Sequence, residues 1–399
     1  MKHYDAVITG AGPIGGYAAR KITRKGFSVA LIEEHKQPGL PLHCAGLVTS
    51  RVLDFFDGSQ KNIIHNSITC AQIHAPSGKT LSIGDKTLRA LVIDRPRFDA
   101  GMIAQAEKEG AEIFYKTKLI HAQKTTKNID IQVEQENQIH HFSCDLLIGA
   151  DGAHSTIRKM FHFPHPTEML RGMGAEITNV NLDPTQVEIF VGNHLAPGFF
   201  AWIIPTNKAG TSARVGVCIS SYAAFPVKHY FSNLFTNSIS SSYLSDAHIT
   251  RYYAGSIPLG PLKTTVSDRV MLVGDAAAQV KPTSGGGLYP GLLCARHCAD
   301  VAIETFTKQK FTKQYLKKYH VLWTADIGRE LQLGMRFRHI YTRLTDEHFD
   351  KYIEKLGTPK TINTINKYGD IDYPSKLALP LLKTTPSLLR LLPLFSKKS

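Results

Sequence analysis

Thirty-four residues at the start of the chain sharply limit its possible folds. Tyr4–Thr9 (YDAVIT) is a short apolar, β-rich run that ends directly in Gly10-Ala11-Gly12-Pro13-Ile14-Gly15. A helical stretch follows from Gly16 to Lys25, with Ala18, Ala19 and Ile22 available for a packed face and Gly26 placed to end it. Phe27–Ile32 (FSVALI) forms a second apolar strand, with Glu33 and Glu34 at its end. Strand, glycine turn, helix, strand, acid is the order of a dinucleotide-binding βαβ unit. Gly10 permits the tight turn, Gly12 lets a pyrophosphate approach the backbone, and Gly15 lets the helix pack close to the strand. Pro13 and Ile14 open a helix whose free N–H groups and partial positive charge favour phosphates. Glu33 is placed to accept hydrogen bonds from a ribose diol. A carboxylate there disfavours a 2′-phosphate, which leaves FAD or NAD rather than NADP. A glycine loop alone can be a plain turn; the whole unit with its acid is not explained that way.

Two distant segments choose between the nucleotides. Leu146–Ile148 is an apolar strand followed by Gly149-Ala150-Asp151-Gly152, then Ser155 and Arg158. Val270–Val273 leads into Gly274-Asp275-Ala276-Ala277, then Pro282 and Gly285-Gly286-Gly287. Each puts Gly-Asp at the carboxyl end of a strand, where open α/β sheets bind ligands. Either alone reads equally well as a turn.

GAGPIG with Glu33, GADGAHSTIR and GDAAAQVKPTSGGG together resemble the FAD-dependent oxidoreductases related to the aromatic hydroxylases. Within these the chain most resembles the geranylgeranyl reductases, the archaeal digeranylgeranylglycerophospholipid reductases among them, over roughly residues 1–330. The resemblance implies an α/β fold: a Rossmann-type FAD-binding domain, an inserted antiparallel-sheet substrate domain and a helical C-terminal region. It implies FAD as cofactor, with Asp275 on the ribityl chain and the N–H groups of Gly287 and Leu288 near the flavin. Arg95 of VIDRPRFD matches the family's arginine beside the cofactor, Leu119 would contact the adenosine half through its backbone, and Asp151 joins the cofactor-binding set. Arg95 also reads as a surface charge at a helix start.

The hydroxylases of this superfamily usually carry a His after GDAA and a polar Asn/Asp pair after the glycines. Here Ala278 follows, and GGGLYPGLLCA holds neither Asn nor Asp. That departure favours the reductase branch. Pro41–Gly46 (PLHCAG) resembles the family's proline-to-cysteine loop, which sets Cys44, Ala45 and Gly46 beside the flavin. Pro197–Pro205 (PGFFAWIIP) resembles the reductases' aromatic-x-Trp-x-aromatic-Pro strand, with Phe200 where Tyr is usual and Ile204 where Phe is usual. Alternation puts Phe200, Trp202 and Ile204 on one face. That face is either ordinary core or, as the resemblance implies, the wall of an isoprenoid tunnel, with Phe199 and Tyr289 as further aromatics.

An isolated trisubstituted alkene is not electron-poor, so hydride addition needs a proton delivered first or in concert. Aromatic faces stabilise the positive charge this builds, and a dry site prevents its capture by water. Cys44 is a candidate proton donor, because a thiol with a reference pKa near ~8.5 is mostly protonated at neutral pH. Its other role is a small hydrophobe packed on the isoalloxazine. His43 either relays a proton or faces solvent, and Asp275 reads as a cofactor ligand rather than an acid. Cys294 and Cys298 share a helix face, but no second Cys pair completes a metal site, so no metal is expected.

The FAD-binding part is discontinuous, at 1–60, 90–165 and 265–325. Residues 61–89 and 166–264 form the sheet domain, with strands at Gln186–Val191 and Ala213–Ile219, and residues 326–399 the helical region. With 47 Lys+Arg against 33 Asp+Glu, the chain carries a net charge of +14, which admits nucleic acid, an anionic membrane or an anionic small molecule. No aromatic-basic platform accompanies the charge, so nucleic acid is not expected. The last 24 residues hold five basic residues (Lys376, Lys383, Arg390, Lys397, Lys398) and no acid. Nine leucines lie between Leu377 and Leu394, interrupted by Pro380, Pro386 and Pro393. Such a tail fits an interfacial anchor on an anionic membrane, or else a helix docked on the body. Six scattered cysteines, no signal-peptide pattern and no spanning apolar run predict a cytoplasmic protein, peripheral on the inner face of the cell membrane. No second nucleotide fingerprint names the external electron donor, so ferredoxin, a deazaflavin and a nicotinamide all stay open. The expected substrate is a prenylated lipid. The rivals are a class-A FAD monooxygenase, an electron-transfer flavoprotein serving quinone and a non-catalytic FAD-holding lipid carrier.

Overall fold

The computed structural model describes residues 2–391. Five parallel strands form the N-terminal sheet, in the order Val270–Leu272, Gln138–Gly149, Lys2–Thr9, Val29–Ile32, Glu112–Phe114. Val29–Ile32 and Val270–Leu272 are buried at every position, as strands covered on both faces must be. Ala6 and Ile8 face the helices Pro13–Thr23, Arg95–Lys108 and Leu288–Lys308, while Val7 faces the hairpin of Thr117–Lys124 and Ile129–Gln135. The parallel strands end together at one edge, and the three Gly-containing motifs meet there.

Seven strands form a second sheet, in the order His248–Leu259, Glu168–Thr178, Ser212–Ile219, Phe200–Pro205, Gln186–Val191, Cys70–His74, Thr80–Gly84. Its neighbours are antiparallel except Cys70–His74 with Gln186–Val191. The amides of Thr69 and Cys70 both donate to Thr185 O, at 2.9 and 3.1 Å, and so start the two strands side by side. Ile64–Ile68 does not join this sheet. It pairs with Ala90–Ile93, which also pairs Leu47–Val48, in a small three-stranded sheet between the two large ones. Along Phe200–Pro205 the side chains alternate as expected. Ala201 and Ile203 lie under the Val227–Asn233 helix, and Phe200, Trp202 and Ile204 point to the opposite face.

The C-terminal region is helical, running through Lys313–Trp323, Arg329–Tyr341, Asp346–Leu356, Pro359–Tyr368 and Ser375–Thr384. Buried Arg338 latches it to the large sheet. Its guanidinium holds both Glu168 oxygens at 2.7 Å, Gly198 O at 2.8 Å and Ser220 Oγ at 2.7 Å. Tyr341 OH also donates to Phe199 O. Ser375–Thr384 docks on its neighbours through Thr361–Thr385 (2.9 Å) and Thr364–Thr384 (3.1 Å) hydroxyl pairs and the Ser375 N–H to Glu330. None of its own residues is buried, and Leu379 is 63% exposed. The remaining tail residues, Leu392 to Ser399, lie outside the described residues. No helix among the described residues is long and apolar enough to cross a membrane. Cys294 and Cys298 are fully buried in the N-terminal core.

Candidate active site

A backbone cradle occupies the carboxyl edge of the parallel sheet. A Cβ at Gly15 would overlap Gly10 O, and one at Gly10, whose φ is +93°, would overlap Ala150 O. These contacts seat the helix start on the strand end and the 149–152 segment against the loop. Gly12 differs: its φ is −79°, and a Cβ there would meet nothing within 4 Å. The space over the loop is open. Pro13 occupies the first turn, where its missing N–H is no loss, and the N–H groups of Ile14 and Gly15 have no intrahelical partner. Glu33 holds Ala11 N at 2.8 Å and His35 N at 2.9 Å, which fixes its carboxylate at the mouth of the loop. Thr117 N donates to Glu33 O at 2.8 Å, so the strand carrying buried Leu119 begins beside it.

Ser155 caps the Thr156–Met160 helix, and Asp151 adds to its first turn, with Oδ2 accepting from Thr156 N at 2.7 Å and Ile157 N at 3.1 Å. Its Oδ1 is buried without a partner among the described residues, and burial pushes its carboxyl up. Arg158 joins the second motif to the third, donating to Ala153 O at 2.7 Å and Ala276 O at 3.1 Å.

Asp275 lies against the N-terminus of Leu288–Lys308, where a Cβ on Gly287 would stand 2.7 Å from its Oδ1. Gly287, Leu288 and the carboxylate therefore share one corner, at the positive end of a 21-residue helix. Burial raises the Asp275 carboxyl to about 6, against the pull of the Arg95 guanidinium. The surface reading of Arg95 is corrected: its side chain is 16% exposed and turned inward. Arg95 makes a bidentate pair with Asp99 at 3.1 and 3.0 Å and lies beside Cys44. Gly46 N donates to Cys44 Sγ at 3.3 Å, and Arg214 NH1 holds both Ala45 O and Ile93 O at 2.9 Å. His43 is exposed and bonds Ala254 O through Nδ1 at 2.7 Å.

The wall facing this turn is aromatic. Phe199 and Phe200 stack at 4.4 Å, and Phe200 meets Trp202 edge-on at 6.1 Å. Ile204 packs with Val92, Ala45 and Leu47. Tyr289 stands apart from this wall, bonded to Tyr373 OH at 3.0 Å with its ring against Phe55. Several residues that shape the site were not picked out from the sequence. Arg214 and Glu176 pin the 44–46 turn, and Gln279 bridges Gly274 N (2.7 Å) to Tyr319 OH (2.9 Å). Lys281, beside the glycine run, donates at 2.7 Å to Asp372, which is 0% exposed. A polar residue inside an apolar strand, as in Ser212–Ile219, was the available signal for Arg214.

Open space over Gly12, an unpartnered Asp151 oxygen and a half-buried carboxylate at a helix N-terminus together fit an extended dinucleotide. A family model described as FAD binding domain matches residues 3–293. The chain belongs to the FAD-binding domain family. This flavoprotein is 31% identical over 383 residues to an uncharacterized protein of Methanocaldococcus jannaschii, covering 96% of this chain and 95% of that one. It is 28% identical over 359 residues to a digeranylgeranylglycerophospholipid reductase of the same organism, covering 89% and 90%. The crystal structure of a geranylgeranyl bacteriochlorophyll reductase-like protein from Thermoplasma acidophilum has the same fold, with a TM-score of 0.88 at 21% identity over 99% of this chain and 100% of that one.

Asp275 gives the flavoprotein a pH signature. A carboxyl whose folded pKa is raised binds its proton more tightly when native. It therefore lowers stability as pH rises from its ordinary 3.8 to about 6, and the loss stays constant above that. In FAD-free protein, Asp275→Asn should exceed the wild type in stability above pH 6, with the difference vanishing toward pH 4. Urea unfolding of both proteins across this range checks the sign. A constant difference would show that the surroundings of this half-buried carboxyl do not raise its pKa.

Proposed function

We propose that this flavoprotein saturates the C=C bonds of geranylgeranyl chains, those of a prenyl-ether phospholipid, using FAD. The observation that carries the reading is the Phe200–Trp202–Ile204 face, packed toward Ala45 and Leu47 of the cysteine turn and toward Val280, five residues past Asp275. An isoprenoid chain needs a long apolar surface with few polar groups, and an alkene bearing positive charge needs aromatic faces without water. The near-full-length similarity to a digeranylgeranylglycerophospholipid reductase supports the same substrate class. Bound FAD, once reduced, supplies the hydride. The chain does the rest: Gly10 to Gly15 and Glu33 hold the adenosine diphosphate half, and Asp275, Arg95 and the Gly287–Leu288 amides hold the flavin half. The aromatic wall orients the isoprenoid and excludes water.

An anionic membrane is the natural source of such a lipid. Leu379 is 63% exposed, with Lys376 and Lys383 exposed on the same helix, and they give the C-terminal region the character of a surface that lies on the inner face of the membrane. The electrons come from an external donor. In an anaerobic cuvette, geranylgeranyl phospholipid should return the reduced protein to the absorbance of oxidised FAD. A class-A monooxygenase would need O₂ for that return, and a quinone-serving flavoprotein would answer to quinone alone. Either result would overturn the reading.

A further inference from the structure

Cys44 is not the only proton-bearing side chain near the aromatic wall. Tyr253, on the His248–Leu259 strand, is 7% exposed. It pairs across the sheet with Gly174, and its ring lies over that glycine: a Cβ there would stand 2.6 Å from both Cε2 and the hydroxyl oxygen. Trp202 approaches from the other side over Gly216, where a Cβ would stand 2.8 Å from Cε2. Gly174 and Gly216 are themselves direct partners across the sheet. Two large rings thus converge on one pair of glycines, and any side chain at either position would displace them. Both polar tips, Trp202 Nε1 and Tyr253 OH, are buried without a partner among the described residues.

Unpaired buried polar groups are costly, so two that converge need a reason. An indole N–H can only donate, whereas a phenol both accepts and donates. Where the two tips approach, the pairing their chemistry allows is Trp202 Nε1–H toward the Tyr253 oxygen, a direction that eases the phenol's ionisation. It leaves the Tyr253 hydrogen unused, on the sheet face that Trp202 and Ile204 pack toward Ala45. Cys44 itself has its sulfur engaged by Gly46 N–H.

We infer that Tyr253 is the proton donor of the reduction, with Trp202 as the positioning residue that orients and polarises its hydroxyl. The inference rests on the geranylgeranyl reading. One alkene carbon takes the hydride that reduced FAD supplies, and the other takes the Tyr253 proton. The π bond is lost and two C–H bonds form; the lipid gains two electrons, FAD loses two, and solvent returns a proton to the phenolate. Burial keeps Tyr253 in its protonated form until that moment, while Arg214 and the Trp202 N–H favour the phenolate that proton release leaves behind.

The test is anaerobic single turnover of the FAD-loaded protein, with FAD pre-reduced and mixed with geranylgeranyl phospholipid. Tyr253→Phe keeps the ring and should keep FAD content and lipid affinity, but FAD reoxidation should slow on the order of 100-fold. Trp202→Phe should slow it about fivefold, the loss of one hydrogen bond to the donor. A second readout needs no turnover. In a Trp323→Phe background Trp202 is the sole tryptophan, and Tyr253→Phe should shift its fluorescence to the blue in FAD-free protein. A Tyr253→Phe rate within about threefold of wild type would overturn the inference, as would an unmoved Trp202 emission. If the wild type itself binds lipid and leaves its double bonds intact, the functional reading fails first, and that outcome is distinct.

Discussion

Gly12→Val is expected to purify free of FAD with its fold intact. The glycine's φ of −79° is open to any residue, and its added Cβ meets no protein atom within 4 Å. The main folding penalty is the poorer N-cap, about 1 kcal/mol. The space that Val fills is the one the pyrophosphate must enter to reach the first-turn N–H groups, so the ligand takes the whole effect. Gly15→Ala is the counterpart: its Cβ would overlap Gly10 O, so it should cost the fold about 3 kcal/mol with or without ligand. Thermal unfolding of both FAD-free proteins, with flavin absorbance after purification, separates the two roles. A Gly12→Val protein that retains bound FAD would contradict the placement of the phosphates over this loop.

The second large effect is Asp372→Ala. The carboxylate is fully buried and binds Lys281 Nζ at 2.7 Å, Thr49 Oγ1 at 2.6 Å and Arg51 NH1 at 2.9 Å. Removing it leaves the Lys281 ammonium buried and unpaired, which costs about 3–5 kcal/mol. Lys281 N also donates to Gly286 O at 3.2 Å, so the disturbance reaches the glycine run before Leu288. Urea unfolding should show the loss, and FAD titration should show weakened binding. Replacing both partners by apolar residues, Lys281→Met with Asp372→Leu, should recover much of the stability, because the cost lies in the orphaned charge. Equal destabilisation by the single and double changes would mean that the network acts through packing alone.

What could be read from the sequence was local. Gly10, Gly12 and Gly15 announce themselves because a tight turn, an approaching ligand and a close helix each demand a missing side chain. The single-face set Phe200, Trp202 and Ile204 follows from strand alternation. What could not be read depends on partners far along the chain. Alternation tells which way a residue of Cys70–His74 points but not that Gln186–Val191 runs parallel beside it. Arg95 looks like a helix-start charge until Asp99, Cys44 and Asp275 surround it. Tyr289 follows the glycine run directly, yet which side of the helix start its ring takes is set by Phe55 and Tyr373. Arg338, Lys281 and Gln279 sit in stretches where a polar residue suggests solvent, and only the fold supplies Glu168, Asp372 and Tyr319. The tail mixes both readings: Ser375–Thr384 docks on the body, but Leu379 remains outside.

Alkene reduction against an aromatic wall changes the mass of the lipid, and that mass is its most direct measure. FAD-loaded protein, reduced with dithionite under anaerobic conditions in D₂O, is incubated with geranylgeranyl phospholipid, and the lipid is then weighed by mass spectrometry. Saturation predicts that each reduced bond gains a hydride and a proton, with at least one deuterium fixed on carbon. A lipid that returns with its mass unchanged, or with oxygen added when air is admitted, would contradict it.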